Sequence, residues 1–228
     1  MESKVIVADT ERIANKKAIL VLGMHRSGTS ALTGVLNILG GYIGLKGESS
    51  SDNYKGHFEN LELVNLNETI LTELNTSWDD TNNVTISRDS FPVNIMEDAI
   101  KMAFGEQSVV LIKDPRICLL LPLYINALNN LNYDIYYVGT HRKDSEIIQS
   151  LITRNEFSQD KCELLIKKYY SSINNTLPSN YLIVDFYKLL YETESIINEL
   201  QKHLPFLNYA DENKLRIEEF LDKSLKHH

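Results

Sequence analysis

The chain has 228 residues, 43% of them hydrophobic, and a formal net charge of −8. That length and apolar content suit one α/β domain, spanning residues 1–228, with a sizeable core, and the acidic balance argues against a broad nucleic-acid surface. The most apolar stretch, Ile117 to Leu128, is too short for a bilayer span and contains Pro122 and Asn126; the opening residues also lack the apolar core of a secretory signal, so a cytoplasmic chain is expected.

Residues 1–17 read as an N-terminal extension. Ala18 to Leu22 is an apolar run of strand length. The turn Gly23-Met24-His25-Arg26-Ser27-Gly28 follows, and Thr29 to Leu39 carries Leu32, Val35, Leu36 and Leu39 at helical spacing. Strand, glycine-bounded loop and helix form the unit that cradles phosphates, because a helix start leaves backbone N–H groups unpaired. Gly23 and Gly28 have Walker A spacing, but Thr29-Ser30 stands where that loop has Lys-Ser/Thr. The cation comes earlier, at Arg26.

Residues 41–60 are rich in Gly, Ser, Asn and Asp, and a loop this long is functional or mobile. Leu61 to Leu74 reads as a helix, Asn75 to Pro92 as polar turns around Trp78, and Ile95 to Phe104 as a helix. Ser108 to Ile112 is a second buried strand, ending in Lys113-Asp114-Pro115-Arg116, where Asp114 has two cationic neighbours. Cys118 to Leu131 reads as a helix interrupted near Pro122. Tyr133 to Thr140 is a third strand, ending in His141-Arg142. Helices follow over Asp144 to Asn155 and Asp160 to Ile173. Tyr181 to Val184 is a fourth strand, ending in Asp185. Residues 191–228 form closing helices, whose apolar faces leave self-association open. Cys118 and Cys162 show no metal or redox spacing and read as buried thiols. His227-His228 are set aside as a native end or a clipped tag.

Strands alternating with helices imply a parallel sheet covered on both faces, with the ligand crevice beyond the carboxyl ends of the strands. Three of the four strand ends carry a cation: Arg26, Lys113, and His141-Arg142. An acidic chain has gathered positive charge where such a fold puts its site. Arg142 and Ser150 are eight residues apart, so both can face one side. An anion with two separated charged groups fits this arrangement.

These motifs resemble those of the sulfotransferases that use 3′-phosphoadenosine-5′-phosphosulfate (PAPS). Arg26-Ser27-Gly28-Thr29-Ser30 is similar to their 5′-phosphosulfate loop, and Arg142 to Ser150, with Asp144 between, to their 3′-phosphate motif. Gly56-His57-Phe58-Glu59-Asn60 and Lys113-Asp114-Pro115-Arg116 are similar to segments of the bacterial and protein-tyrosine branches. Leu182 to Leu190 is similar to a later strand motif, with Phe186 where that motif has Tyr. The likeness runs from about Ala18 to Leu190 in the expected order.

The resemblance implies a three-layer, P-loop-type α/β fold with a parallel sheet of about four to five strands. It implies PAPS as co-substrate, adenosine 3′,5′-bisphosphate as product, and no metal. Arg26, Ser27, Gly28, Thr29, Ser30, Ala31, Arg142 and Ser150 would bind the nucleotide; Ala31 stands where many members have a Trp stacked on adenine. Glu59 would be the general base, with His57 as runner-up, and Lys113 and Arg26 would stabilise developing charge. The acceptor would be a hydroxyl of a small molecule, a carbohydrate or a peptide. The main alternative is a P-loop nucleotide or small-molecule kinase using ATP–Mg²⁺, since Tyr181 to Asp185 resembles a Walker B strand, and a further one is a non-catalytic nucleotide-binding or scaffold protein on the same fold.

Overall fold

The computed structural model describes residues 16–45, 57–178 and 181–221. Most of the N-terminal extension, the Ser-rich part of the 41–60 loop and the end of the closing helices lie outside the described residues. Four parallel strands form the sheet: β1 (Lys16–Leu22), β2 (Val109–Lys113), β3 (Tyr133–His141) and β4 (Leu182–Asp185), in the order β2-β1-β3-β4. At the outer side of β2, where a fifth strand would sit, only Tyr42 bridges among the described residues. Its N–H donates to Val109 O at 3.1 Å, and Leu111 N–H donates to its carbonyl at 2.8 Å.

Side chains alternate along β1 and so divide the core. Ala18, Leu20 and Leu22 face one hydrophobic cluster, whereas Ile19 and Val21 face another. The first cluster is covered by α2 (Leu61–Glu73), α3 (Val93–Phe104), α4 (Ile117–Asn130), α5 (Asp144–Asn155) and α6 (Gln159–Thr176). The second is covered by α1 (Thr29–Ile38), α7 (Phe186–Tyr191), α8 (Thr193–His203) and α9 (Asp211–Phe220). This is the expected three-layer α/β arrangement. The strand order reverses between β1 and β3, which places the crevice beside the Gly23–Gly28 loop and Arg142. No helix among the described residues is long and apolar enough to cross a membrane.

Two elements differ from the sequence reading. Helix α4 runs without a break through Pro122. A proline lacks the N–H that would bond to the carbonyl four residues back, here Cys118 O. Ser172 on α6 supplies the missing donor, its hydroxyl lying 2.7 Å from that carbonyl. Tertiary contact thereby offsets a local helix breaker. The second difference is α7, which follows β4 directly. Asp185 caps it, its Oδ1 accepting the N–H groups of Tyr187 and Lys188 at 2.9 and 3.1 Å.

Removing the Ser172 hydroxyl leaves Cys118 O without that donor. Ser172→Ala is therefore expected to lower unfolding free energy by about 1–3 kcal/mol, measured by urea denaturation. A loss within the error of the wild-type measurement would mean that α4 tolerates Pro122 unaided.

Candidate active site

The loop after β1 is shaped by close approach. A Cβ on Gly23 would lie 2.3 Å from Thr140 Oγ1, and one on Gly28 would lie 2.4 Å from the Phe186 ring. Gly28 also holds φ 98°, a left-handed value. Ser27 is buried, and its N–H and hydroxyl are engaged by the loop and by β3. Its N–H donates to Met24 O at 3.1 Å, and its hydroxyl pairs with that of Thr140 at 2.7 Å. Ser27 therefore builds the loop from inside. The helical ladder of α1 begins with Leu32 N–H donating to Gly28 O at 3.2 Å. The N–H groups of Thr29, Ser30 and Ala31 precede it and have no partner within the helix, a ready arrangement for an anion.

On the β3 side of the loop, Arg26 Nε donates to Ser150 Oγ at 2.7 Å. Arg142 Nη1 donates to Arg26 O at 3.1 Å. The two arginines and Ser150 thus form one cluster, although Arg26 and Ser150 are separated by 124 positions in the chain. Arg142 is oriented further by Glu146, whose Oε2 accepts from Nε at 2.9 Å, and the Tyr187 hydroxyl bonds the other Glu146 oxygen. The Arg142 guanidinium lies 5.0 Å from the Phe186 ring centroid, a cation–π distance. Ala31 packs against the second core cluster, to which Phe186 belongs.

On the β2 side stands Lys113, its side chain only 2% exposed. Its ammonium donates to Glu59 Oε1 at 2.6 Å, to His57 O at 2.9 Å and to Ser30 Oγ at 3.2 Å. Ser30 belongs to the first turn of α1, so this group is bonded directly to the loop's helix. It is the backbone carbonyl of His57 that enters the cluster. Arg26 and Arg142 on one shoulder of the loop, and Lys113 on the other, flank the same stretch of backbone.

Asp114 is the partner of Arg116, not of Lys113. Its Oδ1 accepts from Arg116 Nη1 at 2.8 Å, and its Oδ2 accepts from Asn67 Nδ2 at 2.8 Å. Asn67 in turn accepts from the buried Tyr124 hydroxyl at 2.8 Å, and Glu68 closes the other side of Arg116 at 2.6 Å. Burial opposes the Arg116 charge, but the Asp114 and Glu68 carboxylates outweigh it and raise its pKa. This network seats α4 beneath the site and leaves Lys113 to face Glu59. Asp185, the Walker B-like acid, is occupied as the α7 cap, and its Oδ2 lies 3.3 Å from His141 Nδ1.

Three participants are not singled out by the sequence motifs. Glu146 has a signal, its position four residues after Arg142 on a helix start. Cys118 has none: it forms the floor under Gly23, whose N–H donates to its Sγ at 3.3 Å, and burial pushes the thiol up to about 12. His25 sits in the loop itself, its ring 4.4 Å from that of Trp78. Burial, then the charges of Arg116, Lys113, Arg154 and Arg26, hold its pKa well below the ordinary 6.5.

The sign of that shift sets a pH dependence. Unfolded His25 takes up a proton near pH 6.5, whereas folded His25 resists it. The unfolded state then binds more protons, so stability is full above about pH 6.5 and falls below it by up to ~1.4 kcal/mol per pH unit. His25→Phe should flatten this part of the stability profile between about pH 6.5 and 5. An unchanged profile in that variant would assign the loss to other groups.

No protein-family model and no curated protein matches the sequence. Solved structures match the fold. The sulfotransferase domain of the olefin synthase of Synechococcus PCC 7002 aligns with TM-score 0.50 at 17% identity, over 94% of this chain and 89% of that one. The sulfotransferase domain from the curacin biosynthetic pathway aligns with TM-score 0.52 at 13% identity, over 87% and 76%. Sulfotransferase STF9 from Mycobacterium avium aligns with TM-score 0.53 at 11% identity, over 93% and 69%. The described chain thus has the fold of bacterial sulfotransferase domains, with its cation-flanked loop at the strand ends where an α/β sheet places its ligand.

Proposed function

We propose that this protein is a cytoplasmic, PAPS-dependent sulfotransferase that moves a sulfuryl group to a hydroxyl acceptor. The reading is carried by one observation: cations stand on both shoulders of a helix-initiating loop, Arg142 and Lys113 buried and Arg26 partly so, tied to it by hydrogen bonds. In this reading the N–H groups of Thr29, Ser30 and Ala31, with Arg26, receive the 5′-phosphosulfate. Arg142 and Ser150 receive the 3′-phosphate. The fit is electrostatic and geometric, since a chain of net charge −8 places these cations at the one rim where a doubly wound sheet binds ligands.

The transfer would be an in-line displacement. The acceptor oxygen forms a bond to sulfur while the bond from sulfur to the bridging phosphate oxygen breaks. Glu59 takes the acceptor's proton through Oε2, which lies outside its bond to Lys113. The electron pair of the broken bond leaves on the phosphate oxygen, where Lys113 and Arg26 oppose the growing negative charge. Preorganised donors of this kind supply much of the rate enhancement in many enzymes, because they need not reorient as charge develops. Lys113 thereby has two duties: it fixes Glu59 and it faces the leaving group. The acceptor hydroxyl belongs to a small molecule, a carbohydrate or a peptide.

Adenosine 3′,5′-bisphosphate at about a hundredfold its dissociation constant should raise the melting temperature by roughly 5–10 °C. Stabilisation by ATP–Mg²⁺ alone would replace this reading with that of a kinase. With an acceptor identified by screening against PAPS, Glu59→Gln should lower turnover ~10²–10⁴-fold while the bisphosphate still binds. Turnover that survives both Glu59→Gln and Lys113→Ala would remove both residues from the mechanism.

A further inference from the structure

His25 lies in the anion loop immediately before Arg26, and its imidazole turns away from the loop into an aromatic cage. Trp78 packs at 4.4 Å with the planes tilted by 43°, and Tyr169 meets the ring edge-on at 5.8 Å. The cage is itself fastened. The Tyr169 hydroxyl donates to Trp78 O at 2.9 Å. Phe157 packs on Trp78 at 5.8 Å, and Lys161 lies 3.9 Å over the Phe157 ring while bonding Asp79 at 2.7 Å.

The residue that follows is itself under backbone strain. Arg26 holds φ 69°, a left-handed value that a side-chain-bearing residue keeps only when its surroundings fix it. One clamp is visible at its guanidinium, which bonds Ser150. A second acts on its carbonyl, through Arg142. Both pull from the β3 side. The residue before Arg26 is held separately, by the contact of the His25 ring with Trp78 and Tyr169. Its Nε2 is buried and has no hydrogen-bond partner among the described residues. At that end the imidazole contributes ring contact rather than a bond.

We propose that His25 is a positioning residue of the anion loop, acting through its contact with Trp78 to hold Arg26 in the left-handed conformation that aims its guanidinium at Ser150. The inference rests on the reading that this loop binds the donor's phosphosulfate. It ties loop geometry to two elements that do not border it in sequence, the turn around Trp78 and the middle of α6. Loosening the turn at Trp78 therefore weakens anion binding without touching a phosphate ligand.

The test compares His25→Ala, His25→Phe, Trp78→Ala and the double variant His25→Ala/Trp78→Ala. Leu200→Ala on α8 is the control, a core truncation in the other cluster. The readouts are calorimetric affinity for adenosine 3′,5′-bisphosphate and amide hydrogen exchange at Arg26, Ser27 and Gly28. His25→Ala and Trp78→Ala should each weaken binding by about tenfold or more, and the double variant should lose no more than either alone. His25→Phe, which keeps the ring, should bind within about threefold of wild type, and Leu200→Ala should lose melting temperature but not affinity.

Wild-type affinity in His25→Ala, additive losses in the double variant, or a His25→Phe defect as deep as that of alanine would each overturn the proposal. If wild type does not bind the bisphosphate, the functional reading fails separately, and the exchange data decide this one. Loop amides that lose protection in His25→Ala and keep it in His25→Phe support the positioning role; unchanged protection in His25→Ala refutes it.

Discussion

The hydrogen bond from Arg26 to Ser150, 2.7 Å long and spanning 124 positions of the chain, is the contact on which the rest of the site depends. It joins the turn after β1 to the helix after β3. Arg142 adds a second link by donating to the Arg26 carbonyl. Two arginines brought this close repel each other unless something negative stands between or beside them. Glu146 supplies part of that compensation, held in place by Tyr187. Like charges gathered at one rim of a chain that is acidic overall would be stabilised by the anion proposed for the site.

Lys113 repeats the logic on the other shoulder. It is deeply buried and surrounded by acceptors: a carboxylate, a carbonyl and a hydroxyl. Breaking such a buried pair leaves an uncompensated charge and costs about 3–5 kcal/mol. Glu59 and Lys113 are therefore a structural unit as well as proposed chemical partners. The Asp114, Arg116, Asn67 and Tyr124 network keeps that unit private by occupying the carboxylate that stands next to Lys113 in sequence.

Much of this is legible from residue order. Apolar runs locate the four strands, and the rule that ligands sit beyond parallel strand ends brings Arg26, Lys113 and Arg142 to one rim before any coordinates. What stays hidden has a common cause: it depends on contacts between distant segments. Pro122 reads as a helix break because Ser172, its remedy, lies on another helix. His25 and Trp78 carry no spacing signal, since they are far apart in the chain and meet only when the turn of residues 75–81 folds over α6. Ser27 looks like a ligand group in a phosphate loop, yet its burial against Thr140 turns it inward. Helix α7 is the exception, hidden for a local reason: β4 passes into it at Asp185, a residue that reads equally as a strand-end acid and as a helix cap.

The central claim is that one rim grips a single nucleotide at two separated places. Calorimetric binding of adenosine 3′,5′-bisphosphate and of adenosine 5′-monophosphate, to wild type and to Arg142→Ala, tests it most directly. The account predicts that wild type prefers the bisphosphate and that Arg142→Ala loses this preference while still binding the monophosphate. A preference that survives in Arg142→Ala, or a wild type that does not distinguish the two nucleotides, would contradict it.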